Sequence, residues 1–162
     1  MTSKKTRSLL KQLADAQRTK HQYISVAIEP NNICVWYAKL QGLAGENDEF
    51  CGGVYLLKIS IPDNFPCAAP KFHFLTPNDI FAVGDGSICI SIGHNHPEAA
   101  RLTLGIVGFL ENIASAMLDW KTLGEGEGII KAHSVETIKL AAASSVEYNE
   151  KNYSDILSLF AG

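Results

Sequence analysis

Three side chains in one stretch of this chain could carry acyl-transfer chemistry: Cys89, Asn78 and His96. A thiol is both a strong nucleophile and a good leaving group, so it can accept an acyl group and hand it on, whereas the ester formed by a serine would be too stable to pass on easily. Cys89 stands in Ser87-Ile88-Cys89-Ile90-Ser91-Ile92, just past the Gly84-Asp85-Gly86 loop. A lone cysteine in an apolar segment is ordinarily a small buried hydrophobe, but the neighbours here argue for a reactive one. Eleven positions before it, Asn78 ends a Thr76-Pro77-Asn78 turn, and an amide N–H held there would stabilise the oxyanion that develops during attack. The same side chain could instead lock its own loop through backbone hydrogen bonds, and the two roles are compatible. Seven positions after the cysteine, His96-Pro97 offers an imidazole whose ordinary pKa suits proton transfer near neutral pH; a loop-supporting histidine is the alternative. Cys34 in a strand pattern, Cys51 in a Gly-rich turn and Cys67 in a Phe-Pro turn have weaker claims.

These residues belong to a longer pattern. Gly52-Gly53-Val54-Tyr55 leads into Ile59-Ser60-Ile61-Pro62-Asp63-Asn64-Phe65-Pro66-Cys67-Ala68-Ala69-Pro70, then Thr76-Pro77-Asn78, Cys89-Ile90-Ser91-Ile92 and His96-Pro97-Glu98. Together they resemble the ubiquitin-conjugating enzymes over nearly the whole chain. The Thr-Pro-Asn turn and the His-Pro-Glu element are similar to the branch that is usually tail-anchored in the endoplasmic reticulum membrane and works in degradation of misfolded proteins. The resemblance implies that Cys89 accepts ubiquitin or a related modifier as a thioester from an activating enzyme and passes it to an acceptor with a ligase. Lys4, Lys5, Arg7 and Lys11 match the region that meets the activating enzyme, and Phe65, Pro66, Cys67 and Arg101 fall where ligases are met. It implies no cofactor on this chain, because ATP is used by the activating enzyme, and no phosphate-cradling Gly loop is seen. Several positions depart from the pattern: Ala100 and Leu104 stand where the branch carries tryptophans, and Cys67 replaces a common phenylalanine. The acidic motif beyond the central helix is missing, with Asp119 and Glu125 in that general region.

Other readings compete. A catalytically silent relative would bind ubiquitin or act as a scaffold, but such variants usually lack the cysteine. A Cys-His hydrolase would pair Cys89 with His96 or His133, yet no third orienting residue is evident. Metal binding through Cys89, His94 and His96 would have too few ligands.

Positioning such a site takes a sheet and helices within one domain, residues 1–162. Residues 3–17 read as a helix, with Ser3 as its cap and Leu9, Leu13 and Ala16 on one face. Apolar alternation then marks four strands, around Ile24-Val26-Ile28, Ile33-Val35-Tyr37, Tyr55-Leu57-Ile59-Ile61 and Phe72-Phe74. Short connections make them an antiparallel meander. Ile106, Leu110, Ile113 and Met117 form the stripe of a central helix. Ser134 caps a helix through Ala143, and Tyr153, Ile156, Leu157 and Phe160 mark a last one. Helices gathered after the strands define an α+β fold, in the order of the ubiquitin-conjugating-enzyme fold.

Composition sets outer limits. With 162 residues, 46% of them hydrophobic, there is apolar material for a single core. A net charge of −3 gives no reason to expect nucleic acid as a partner. Basic side chains nevertheless crowd the first twenty positions; a solvated helix face is the plain explanation. The four cysteines show no Cys-x-x-Cys spacing, which argues against structural zinc and for free thiols in a reducing compartment. No signal peptide is evident, and no apolar run approaches the ~18–20 residues that cross a bilayer. The expected location is the cytoplasm, or the cytosolic face of the endoplasmic reticulum if a C-terminal anchor has been removed.

Overall fold

The computed structural model describes residues 4–18, 21–65, 68–83, 105–122 and 134–160. Its elements run α1 (Lys4–Arg18), β1 (Ile24–Glu29), β2 (Asn32–Gln41), β3 (Val54–Ser60), β4 (Lys71–Phe74), α2 (Gly105–Leu118), a single 3₁₀ turn (Trp120–Thr122), α3 (Val135–Asn152) and α4 (Ser154–Ser158). The first helix is described from Lys4 through Arg18, one residue past its expected end, and Ser3, its expected cap, lies outside the described residues.

The strands form the expected antiparallel meander, in the order β1-β2-β3-β4. Side-chain alternation decides its two faces. Trp36, Ala38 and Leu40 of β2, Tyr55, Leu57 and Ile59 of β3, and Phe72 and Phe74 of β4 are buried in one core. Against that face α2 lays Ile106, Phe109, Leu110, Ile113, Ala114 and Met117. The Phe72 and Phe109 ring centroids lie 5.9 Å apart where helix and sheet meet. On the opposite face of β2, Lys39 is paired with the fully buried Leu56 of β3. Its ammonium lies 5.1 Å from the centroid of the Phe160 ring, just beyond α4, a cation–π distance. The chain therefore carries its C-terminal turn to the outer side of the sheet.

Helix starts are fastened from outside. Gly105 has φ +73°, which only glycine adopts readily, and Gln12 of α1 accepts a hydrogen bond from Ile106 N–H at 2.9 Å. This caps α2 with a side chain from α1. The start of α3 is a reciprocal box: Ser134 Oγ accepts from Thr137 N–H at 3.2 Å, and Thr137 Oγ1 accepts from Ser134 N–H at 2.9 Å. That helix runs to Asn152 rather than ending near Ala143. Ser145 does not break it, because its hydroxyl donates to Ala142 C=O at 2.7 Å and accepts from Val54 N–H of β3 at 2.9 Å. Tertiary contact overrides local propensity here.

The connection between β2 and β3 is held by a buried carboxylate. Glu49 is 1% exposed; it accepts from the Trp120 indole N–H at 3.0 Å and from Asn47 N–H at 3.1 Å. Burial pushes its pKa upward, but the hydrogen bonds from Trp120, Glu49 N–H and Asn47 N–H, with the nearby Lys121 charge, outweigh this and hold it below its ordinary value. A β-carbon at Gly45 would overlap that carboxylate and crowd the Phe50 ring. Since the folded state binds this proton less tightly, its stabilisation is present above the ordinary carboxylate range and is lost as pH falls through the lowered pKa. Glu49→Gln can accept only one of the two N–H groups with its oxygen, so it should cost about 1–3 kcal/mol in urea unfolding at pH 7. The gap to the parent should narrow in acid. Gly45→Ala should destabilise as well, and a parental unfolding midpoint for both variants would remove Glu49 from this role.

Candidate functional site

The Thr76-Pro77-Asn78 turn is built where β4 runs out. Pro77 has no backbone N–H and cannot extend a ladder, so β4 stops at Phe74 while β3 continues alongside through Leu56 to Val54. Four backbone groups of β3 would be left without strand partners, and each finds another. Leu56 C=O accepts from Leu75 N–H at 2.8 Å, and Leu56 N–H donates to Thr76 Oγ1 at 2.9 Å. Val54 N–H donates to Ser145 Oγ at 2.9 Å, and Val54 C=O accepts from Asn149 Nδ2 at 2.8 Å. Thr76 in turn donates its hydroxyl proton to Asn149 Oδ1 at 2.5 Å. Thr76, Ser145 and Asn149 are all at most 1% exposed, so the cluster is a buried polar junction between α3 and the sheet.

Asn78 is itself fully buried. Its Oδ1 accepts from Ile80 N–H at 3.0 Å and Phe81 N–H at 2.7 Å, while Nδ2 donates to Thr76 C=O at 3.0 Å. Those bonds are the loop-locking pattern. They steer Ile80 and Phe81 into the core, where Phe81 stacks on Phe74 at 5.3 Å with ring planes 7° apart. Asp79 holds φ +67°, a left-handed geometry that Asp tolerates better than most residues. Its carboxylate accepts from Thr137 Oγ1 in the first turn of α3, where the positive end of the helix dipole favours a negative charge. The turn is therefore held at both ends of one helix.

The other candidates are distributed as follows. Cys89, His96, Pro66, Cys67, Arg101, His94, His133 and Glu125 lie outside the described residues. Phe65 is 6% exposed and its ring belongs to the core. Arg7 and Lys11 are exposed on α1, with Leu9 buried on the other side; Lys4 and Lys5 begin the helix, and their side chains lie outside the described residues. Asp119 is exposed just after α2. Cys34 is half-buried and Cys51 exposed, both as free thiols. A cavity of about 290 Å³ opens between α1, β1 and the start of α2, lined among others by Gln12, His21, Ile24 and Ile106, and no residue of the Thr-Pro-Asn turn is in its lining. Among the described residues no group of three or more His, Cys, Asp or Glu side chains could hold a metal ion, and no helix is long and apolar enough to cross a membrane.

Sequence reading missed Ser145 and Asn149. Ile138, Ala142, Ser145 and Asn149 recur at helical spacing and are all buried. Polar residues completing an apolar stripe are the signal that could have pointed to a buried partner.

The sheet and the helices around it have parallels among known proteins. Residues 8–117 match the sequence profile of the ubiquitin-conjugating enzymes, and the chain belongs to that family. It is 31% identical over 122 residues to ubiquitin-conjugating enzyme E2 34 of Arabidopsis thaliana, which covers 75% of this chain and 48% of that protein. With human ubiquitin-conjugating enzyme E2 J1 it shares 30% identity over 117 residues, covering 68% of this chain and 36% of the relative. The chain thus spans about half the length, or less, of these relatives. Among solved structures, the E2 domain of a Toxoplasma gondii ubiquitin conjugating enzyme superposes with a TM-score of 0.62 at 21% identity, covering 86% of this chain and 97% of that one. A Plasmodium vivax ubiquitin conjugating enzyme E2 gives 0.54 at 28% identity, covering 67% and 97%.

Removing the Asn78 side chain would strand two buried N–H groups. Asn78→Ala should lower stability by about 2–4 kcal/mol in denaturant unfolding and speed hydrogen exchange at Ile80 and Phe81. Parental exchange at both amides would show that the turn holds without this side chain.

Proposed function

We propose that this chain is an active ubiquitin-conjugating enzyme with Cys89 as its nucleophile. The observation that carries this reading is a cysteine standing in its family motif, downstream of a buried, hydrogen-bonded asparagine turn, in a chain of that family. The Cys89 thiolate attacks the thioester carbonyl on the activating enzyme, a tetrahedral oxyanion forms and collapses, and that enzyme's thiolate leaves. In the second half an acceptor amine or hydroxyl attacks the Cys89 thioester, loses its proton, and Cys89 departs as thiolate. Asn78 is the proposed amide donor to the oxyanion, in addition to its bonds within the loop. His96 is the proposed acceptor-side base, since the usual acidic element is missing.

Ubiquitin, the activating enzyme and a ligase are the proposed partners, with Phe65, Pro66, Cys67 and Arg101 in the ligase region. Resemblance to the tail-anchored branch supports a place at the cytosolic face of the endoplasmic reticulum and work in protein degradation. Contact of α1 with the activating enzyme has a physical argument. Lys4, Lys5 and Arg7 occupy the first turn, which carries no acidic residue, at the end where the helix dipole is already positive. Such charges weaken the isolated helix slightly, so their value lies in meeting an acidic surface.

Incubation with activating enzyme, ATP and ubiquitin should give an adduct that a thiol reductant removes. Cys89→Ala should abolish it and Cys34→Ala or Cys51→Ala should not; an adduct on Cys89→Ala would refute the nucleophile. Charging should slow as salt rises, and further when Lys4, Lys5, Arg7 and Lys11 are replaced by Glu, without change in discharge of a preformed thioester. Equal charging rates would return α1 to a solvated face. His96→Ala should leave charging nearly unchanged while slowing discharge onto lysine or serine more than onto free cysteine. Uniform slowing, or none, would move the base elsewhere.

A further inference from the structure

We propose that Asn149 of α3, acting through the Thr76 hydroxyl, is a positioning residue that sets the orientation of the Asn78 amide. The proposal rests on the reading of Asn78 as part of the acyl-transfer site, and it assigns that site a supporting residue from far along the chain.

The hydrogen bonds leave little choice of direction. Asn78 Oδ1 receives two backbone N–H groups, from Ile80 and Phe81, so the oxygen and nitrogen of this amide are distinguished by their partners. One hydrogen of Nδ2 goes to Thr76 C=O. Because the amide is planar, the direction of its second N–H follows from where the Thr76 carbonyl stands. That position depends on the Thr76 hydroxyl, which accepts from Leu56 N–H and so must spend its single proton on Asn149 Oδ1. Asn149 is fixed in turn, since its Nδ2 donates to Val54 C=O. The series begins on the backbone of β3, crosses to α3 and returns through Thr76 to Asn78, and the side chains of Asn149, Thr76 and Asn78 are all buried while Val54 at its start is half-buried. Among buried side chains such a series transmits orientation, because each member fixes the partner left to the next.

The side chains also have to be these types. At position 149 one group must accept and another donate; leucine offers neither, and aspartate would set a carboxylate oxygen against Val54 C=O. At position 76 valine keeps the shape but leaves Leu56 N–H without its acceptor, whereas serine keeps the hydroxyl.

Two readouts on folded protein test this. The first is the Asn78 side-chain amide resonance together with hydrogen exchange at Phe81 N–H, which need no charging. The second is single-turnover discharge of purified Cys89 thioester onto lysine. Thr76→Val should shift the Asn78 resonance, speed Phe81 exchange about tenfold or more, and slow discharge roughly ten- to a hundred-fold, the range expected when a reacting group is misplaced by about an ångström. Thr76→Ser should restore both readouts. Asn149→Ala, which leaves Leu56 N–H bonded to Thr76, should act in the same direction, and it carries the test if Thr76→Val does not fold. A merely structural role would lower the unfolding temperature, leave the Asn78 resonance at its parental position and speed Phe81 exchange no more than that of core-strand amides that exchange through global unfolding, and that result would overturn the proposal. So would failure of Thr76→Ser to restore them. If the Asn78 readouts move as expected but the parent never charges, or discharge is unaffected, the proposed orientation stands and the acyl-transfer reading of Cys89 or Asn78 fails.

Discussion

Everything near the asparagine turn depends on how one strand edge is closed. β3 outlasts its neighbour β4, and an exposed run of strand N–H and C=O groups would invite water or another chain. Thr76, Ser145 and Asn149 close it with side chains in place of a strand. The arrangement carries a risk: losing one partner in a buried polar cluster leaves another unsatisfied, at about 1–3 kcal/mol for each stranded group. In exchange it fixes α3 against the sheet in one register, something apolar packing by Ile138 and Ala142 alone would do less strictly.

A second dependence links the two ends of the molecule. Gln12 joins α1 to the first turn of α2, and α2 supplies the apolar layer beneath the sheet. Glu49 then ties Trp120, just past α2, to the long connection before β3. Each junction is a single polar side chain satisfying a group that its own element leaves over. The basic residues of α1 stand apart from this economy, since the first turn of that helix carries no acidic residue and sits at the positive end of the helix dipole.

Much of the architecture was legible because strands and an amphipathic helix advertise themselves by period. Ile24-Val26-Ile28, Tyr55-Leu57-Ile59 and Ile106-Leu110-Ile113 each appear in the structure as the elements their spacing implied. The length of α3 was not legible, because what carries it past Ala143 is a bond from Ser145 to a strand distant in sequence. For the same reason Thr76 could be placed in its turn without revealing Asn149 as its partner. Asn78 could be recognised as a turn asparagine, and its three local bonds are the kind that short-range chemistry predicts. Long-range pairing between single polar residues leaves no periodic trace.

Phe160 beneath the Lys39 ammonium has a practical bearing on how the protein is handled. A purification tag, a fluorophore or a surface tether joined just after Phe160 would begin beside the C-terminal end of β2, on the face turned away from α2. A bulky fusion there would crowd the back of the sheet and leave α2 and the core face at a distance. Immobilising the folded domain through that point would present the side bearing α2 to the solution.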